Sequence, residues 1–192
     1  MTETMVLYWI RDNLGEIIRK ALSEKEVIYT EDWLAGMAYR ETGFLINRYA
    51  SQKLKPEIIF SLMKGDYGQR LKDKEKIYHG FGVWQIDIDS YPDFVKSGDW
   101  KDPYKTVKKA IDVLEEKRIY LSKHLDFGKM ELQQIHMAIT AAYNCGQGNV
   151  VKAINKKLDV DRYTHNGDYS KMVWEYREAY RNLKNHNKPN ND

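Results

Sequence analysis

The sequence has one cysteine, Cys145, and four prolines in 192 residues. A single thiol excludes an intramolecular disulfide and any cysteine-based zinc site, while leaving the cellular compartment open. No apolar stretch approaches the roughly 20 residues that span a bilayer, so no membrane segment is expected. The start, Met1 to Ile10, lacks the basic residues and long apolar stretch of a signal peptide. Positive charge is in small excess: 31 Lys and Arg against 28 Asp and Glu give a net charge of +3. With no basic run to form a stripe, nucleic acid is not an expected partner. The five histidines (His79, His124, His136, His165 and His186) show no metal-ligand spacing. No metal and no cofactor are expected.

What is present is a globular composition, 42% hydrophobic and 31% charged, enough for one sizeable core. Tyrosine and tryptophan dominate the aromatics, with 14 Tyr and 5 Trp against 5 Phe. Their flat faces with polar edges suit sugar rings, or simply interfacial packing. The apolar pattern is mostly helical. It recurs over Val6, Ile10, Leu14, Ile17 and Leu22, and again over Val107, Ile111, Leu114 and Leu121 after Pro103. Ile135, Ile139 and Ala142 mark a helix stopped at Gly146; Asn149 is read as the cap of a short one, and Asp168 as the opening of the last.

Thr30 reads as the N-cap of a helix carrying Leu34, Met37, Ala38 and Glu41, with Gly43 expected to end it. Pro56 to Gly65 predicts a short helix, and the polar Asp66 to Lys76 a loop. Ile77-Tyr78 and Val83 to Ile86 are expected as short strands around His79-Gly80-Phe81-Gly82, and Ser90 as a helix cap. This predicts one mainly α domain with a small β-hairpin.

Glu41 follows the apolar side of its helix. A carboxylate there is poorly solvated, and a helix C-terminus close by further disfavours the anion, so its pKa is expected to rise. A carboxylic acid still protonated near neutral pH is what a glycosidase uses to protonate a leaving oxygen. Spacing alone equally describes a Glu at the edge of the stripe, bending out to solvent.

Three blocks in order add context: Leu34-Ala35-Gly36-Met37-Ala38-Tyr39-Arg40-Glu41-Thr42-Gly43; Gly80-Phe81-Gly82-Val83-Trp84-Gln85-Ile86-Asp87; and Ala141-Ala142-Tyr143-Asn144-Cys145-Gly146-Gln147-Gly148-Asn149-Val150. Together with Thr164 to Tyr169 they resemble the goose-type lysozymes and their soluble lytic transglycosylase relatives, from about Thr30 to Leu183. The resemblance implies a lysozyme-like α+β fold, with residues 1–29 as an N-terminal helical extension packed on it, 30–183 as the catalytic domain and 184–192 as a disordered tail. It implies Glu41 as catalytic acid and Asp87 as the residue positioning the attacking water. Tyr143 is expected to contact Glu41. Gln85, Asn144, Tyr169, His79 and Gly82 are expected at the substrate. Asp89 is a substrate-side candidate and a rival to Asp87 for the base; Asp73 and Glu75 are rough candidates for a further acid.

The departures are Cys145 and Gln147, beside the helix stop, and a longer segment between Glu41 and Gly80. Trp84 is expected in the core or on sugar, and Trp100 at the rim of the cleft. The implied activity is cleavage of β-1,4 bonds of peptidoglycan, with chitin as the alternative polymer, by an inverting hydrolase. A transglycosylase giving anhydro products and a non-catalytic wall-binding module are the alternatives. The expected protein is a monomer, secreted or delivered to the cell wall or periplasm, its leader removed or its export by another route.

Overall fold

The computed structural model describes residues 1–70 and 74–186, with side chains described through Leu183. The expected candidate Asp73 and the tail from residue 187 lie outside the described residues. The architecture is mainly α, with a small antiparallel sheet, as the apolar periodicity predicts. The helices are α1 (Glu3–Ser23), α2 (Glu31–Ala50), α3 (Pro56–Ser61), α4 (Pro92–Lys96), α5 (Pro103–His124), α6 (Leu132–Cys145), α7 (Gln147–Asn155) and α8 (Tyr169–His186). The strands are β1 (Lys64–Gln69), β2 (Lys76–Phe81) and β3 (Ile86–Asp87), in that order across the sheet. Among the described residues no helix is long and apolar enough to cross a membrane.

Helix α2 is the centre of the molecule. Trp33, Leu34, Ala35, Gly36, Met37 and Ala38 are all buried, so this stretch is covered on every side rather than along one stripe. Gly36 lets α8 come close. A Cβ there would sit 2.7 Å from the Val173 carbonyl oxygen and 2.8 Å from the Arg177 nitrogen, both backbone. The two acids that open α2 fasten it. Asp32 accepts from Arg177 at 2.8 Å and Arg181 at 2.6 Å, and Glu31 from Tyr180 at 2.7 Å and Arg19 at 3.0 Å. Helix α1 contributes Val6, Leu7, Ile10, Leu14 and Ile18 to the same core.

Several boundaries differ from the sequence expectations. Thr30 occupies the N-cap position of α2 but makes no side-chain capping bond. Gly43 does not end α2, which continues to Ala50. A glycine stops a helix by adopting a left-handed backbone, and here that role falls to Lys53, with φ 58°. The segment expected as a loop from Asp66 contains most of β1. This strand is largely exposed, so it carries no apolar alternation for a reader to find. Helix α3 ends at Ser61, short of Gly65.

Tyr91, not Ser90, precedes α4; Ser90 turns to Asp87 instead. Asn149 lies inside α7 and donates to the Cys145 carbonyl at 2.8 Å, because the left-handed Gly146 (φ 83°) already starts that helix. Helix α8 runs through His186, three residues into the expected tail.

Candidate active site

A cleft of about 590 Å³ lies between α2, the sheet, the end of α6 and the start of α8. Glu41, Gln85, Asp87, Tyr143, Asn144, Tyr169 and His79 all line it, although they are spread over more than a hundred residues of sequence. Gly82 does not line it. It is buried behind the sheet with φ 78°, and a Cβ would meet Thr106 and the Trp100 carbonyl within 3 Å. Asp89 is also outside the lining; it is exposed, 3.1 Å from Arg70 and 3.7 Å from His79. Glu75 is exposed and does not line the cleft either.

Glu41 points from the middle of α2 into this cleft. Its pKa is raised to about 7. Burial is the main cause; the hydroxyl of Tyr169 and the charge of Arg40 oppose it, and the charge of Asp66 adds to it. The expected contribution of a helix C-terminus is absent, because α2 continues past Glu41 for more than two turns.

The tyrosine bonded to Glu41 is Tyr169 rather than the expected Tyr143. Tyr169, almost wholly buried, donates its hydroxyl to Glu41 Oε1. Tyr143 donates to the Trp84 carbonyl at 2.6 Å instead, holding the turn that presents Gln85. Both phenols have pKa values pushed far up by burial, with the Glu41 charge adding to the effect, so both remain protonated donors.

The turn from Gly82 to Gln85 is strained. Gln85 is non-glycine yet sits at φ 48°, a conformation that costs on the order of 1 kcal/mol. Surrounding bonds over-determine it. Thr42 Oγ1 holds the Val83 carbonyl at 3.0 Å, Tyr143 holds that of Trp84, and Gln85 Nε2 donates to the Gly82 carbonyl at 2.8 Å. The Gln85 amide lies against Gly65 and Gly80, which face each other across β1 and β2; a Cβ on either would overlap its Oε1. These glycines make the slot in which the amide rests at the cleft wall.

Asp87 ends β3, opposite Gly80, and accepts from the Ser90 nitrogen at 2.8 Å and hydroxyl at 2.6 Å. Asn144 accepts from the His165 nitrogen at 2.9 Å, which ties the end of α6 to the segment before α8. Trp84 is fully buried, its indole donating to the Leu34 carbonyl, so it belongs to the core. Trp100 is also buried, edge-on to Phe81, and does not rim the cleft. The Cys145 thiol is pushed up to about 11 by burial, chiefly, and stays protonated.

Sequence reasoning missed three residues. Asp66 lines the cleft and raises the pKa of Glu41. Its signal, an Asp between Gly65 and Gly68 in a left-handed backbone (φ 51°), reads from sequence only as a turn. Arg40 pairs with Asp168 at 3.1 Å and lies over the Tyr169 ring at 5.6 Å. Phe44 stands 76% exposed at the lip, where an apolar side chain in a helical pattern looks like core. For a cation, His79, Asp87 and Asp89 bring ligand atoms within 4.8 Å of one another, though Arg70 already places a positive charge on Asp89. Compared with known proteins, the chain matches no family profile and no curated sequence.

Proposed function

We propose that this protein is a peptidoglycan-cleaving muramidase with a lysozyme-like fold, in which Glu41 protonates the oxygen leaving at a β-1,4 bond. The observation that carries this reading is Glu41 itself, an acid held near pH 7 at the wall of an open cleft. The resemblance of the three sequence blocks to goose-type lysozymes and lytic transglycosylases supports the same assignment. Glu41 starts each turnover protonated and gives its proton to the glycosidic oxygen. The Tyr169 hydroxyl then stabilises the carboxylate that forms.

Hydrolysis with inversion needs a second carboxylate to activate water. Asp87 and Asp66 both line the cleft, which favours hydrolysis over the transglycosylase route that needs the single acid. Asp87 is the proposed base, its carboxylate oriented by Ser90; Asp66 is its rival, in place of Asp89. The substrate places the working protein at a cell wall or in the periplasm. Chitin is the alternative polymer.

The test is product analysis by mass spectrometry after digestion of purified peptidoglycan and of chitin oligomers. Reducing muropeptides that vanish with Glu41→Gln are expected. Anhydro-muropeptides as the main product sink the hydrolase assignment, and wall binding with no cleavage by the native chain sinks the enzyme.

A further inference from the structure

Helix α8 begins at Tyr169, and the backbone N–H groups of its first turn have no partner within the helix. Asp168 stands where a cap is usual, but its carboxylate pairs with Arg40 at 3.1 Å. The donors go further back along the chain. The Tyr169 nitrogen donates to the Thr164 hydroxyl at 3.3 Å, and those of Ser170 and Lys171 donate to the Asp161 carboxylate at 2.9 and 3.1 Å. Asp161 also accepts from the hydroxyls of Ser170 at 2.8 Å and Thr164 at 3.2 Å.

Asp161 is buried, and these hydrogen bonds together with the positive end of α8 hold its charge. A buried carboxylate stripped of its donors is costly, so the arrangement fixes both the position and the rotation of the first turn of α8. Tyr169 is the first residue of that turn, and its hydroxyl reaches Glu41 on a different helix. Such a bond tolerates little error in distance and angle.

We propose that Asp161 is a positioning residue of the active site, which holds the first turn of α8 so that the Tyr169 hydroxyl meets the Glu41 carboxylate. Its catalytic consequence rests on the glycosidase reading above. The experiment reads the pKa of Glu41 in two ways. One is NMR titration of its carboxyl in protein made with isotope-labelled glutamate, which needs no substrate. The other is the alkaline limb of kcat/KM on a soluble wall oligosaccharide. The proteins are the native chain, Asp161→Asn, Tyr169→Phe, the double variant of these two, and Thr164→Val, a milder change that keeps the side chain's shape and removes the acceptor of the Tyr169 nitrogen.

Asp161→Asn should raise both readings by about half a unit to one unit, and no further than Tyr169→Phe does. Thr164→Val should raise them by less. In the double variant, Asp161→Asn should add nothing to Tyr169→Phe, as expected of a residue that acts through another. A direct effect of the lost charge has the opposite sign, because removing an anion lowers the pKa of a carboxyl. A pKa that stays in place or falls in Asp161→Asn, or that rises equally with and without the Tyr169 hydroxyl, overturns the positioning role. Should Asp161→Asn not fold, Thr164→Val decides by the same signs. If the native chain cleaves no wall polymer, the glycosidase reading falls and the titration still decides the role of Asp161.

Discussion

Removing the Tyr169 hydroxyl tests the central element of the site. Tyr169→Phe keeps the buried ring and deletes the one hydrogen bond that the Glu41 carboxylate receives among the described residues. A hydrogen bond to a charged group is worth about 1.5–3 kcal/mol, and 1.36 kcal/mol corresponds to one pKa unit. Loss of the bond therefore raises the pKa of Glu41 by about 1–2 units. Because Glu41 borders an open cleft, water will replace part of the lost bond, so the lower end is expected.

Activity requires the protonated acid, so kcat/KM falls as pH rises through the pKa of the free enzyme. That alkaline limb should be centred near 7 in the native chain and near 8 in Tyr169→Phe. The assay is the initial rate on a soluble wall oligosaccharide across pH 4 to 10. Tyr143→Phe is the control. Its hydroxyl serves the Trp84 carbonyl, so the limb should stay in place while stability drops by about 1 kcal/mol. A limb that does not move in Tyr169→Phe, or that moves equally in Tyr143→Phe, refutes the assignment of the two tyrosines.

Other variants address the remaining parts. Glu41→Gln should abolish cleavage and stabilise the fold at high pH. Because the folded pKa of about 7 lies above the unfolded 4.5, the native chain is fully favoured below pH 4.5 and loses up to about 3 kcal/mol as pH rises through 7. Thermal melts should therefore coincide for the two proteins at pH 4 and favour the variant by roughly 6–12 °C at pH 9; no difference at pH 9 would mean that Glu41 is not desolvated. Asp66→Asn removes an anion near Glu41 and should shift the alkaline limb to lower pH, whereas Asp87→Asn should lower kcat with the limb in place; the reverse pattern in rate profiles would make Asp66 the base. Gly36→Ala forces a Cβ onto the α8 backbone and should cost about 1–3 kcal/mol in urea unfolding, with a neutral result contradicting the close packing of α2 on α8.

The helices were legible because burial follows their apolar stripes. Val6, Ile10, Leu14 and Ile18 are all core residues of α1, and Val107, Ile111, Leu114 and Leu121 are core residues of α5. The sheet was half legible. Strands were expected at Ile77-Tyr78 and Val83 to Ile86; β2 takes in the first but runs on through the expected turn to Phe81, and β3 is only Ile86–Asp87, with Val83 to Gln85 in the turn. β1 is mostly exposed and polar, so pairing to β2 is what makes it a strand. The same blindness hid Asp66.

At the site, the residue types were readable from the sequence and the partners were not. Tyr143 and Tyr169 both border the cleft, yet which hydroxyl reaches Glu41 depends on how α6 and α8 meet α2. Gly43 misled for a local reason. A glycine signals a helix end only if its backbone turns left-handed, and here Ile46 is buried and carries the apolar pattern on to Ala50.

The raised pKa of Glu41 therefore has to be built without a helix end, and the surroundings of Arg40 show how. Arg40 is adjacent in sequence and would, turned fully onto Glu41, hold it ionised and useless as an acid. Two contacts draw its guanidinium away: the carboxylate of Asp168 at 3.1 Å and the face of the Tyr169 ring. Its effect on Glu41 is then smaller than that of burial. Asp168 and Tyr169 are consecutive, so a single short segment at the start of α8 both diverts the competing cation and supplies the hydroxyl that receives the carboxylate once the proton has left. The close approach of α8 to α2 at Gly36, which in the core serves packing, is also what fixes this segment over the acid.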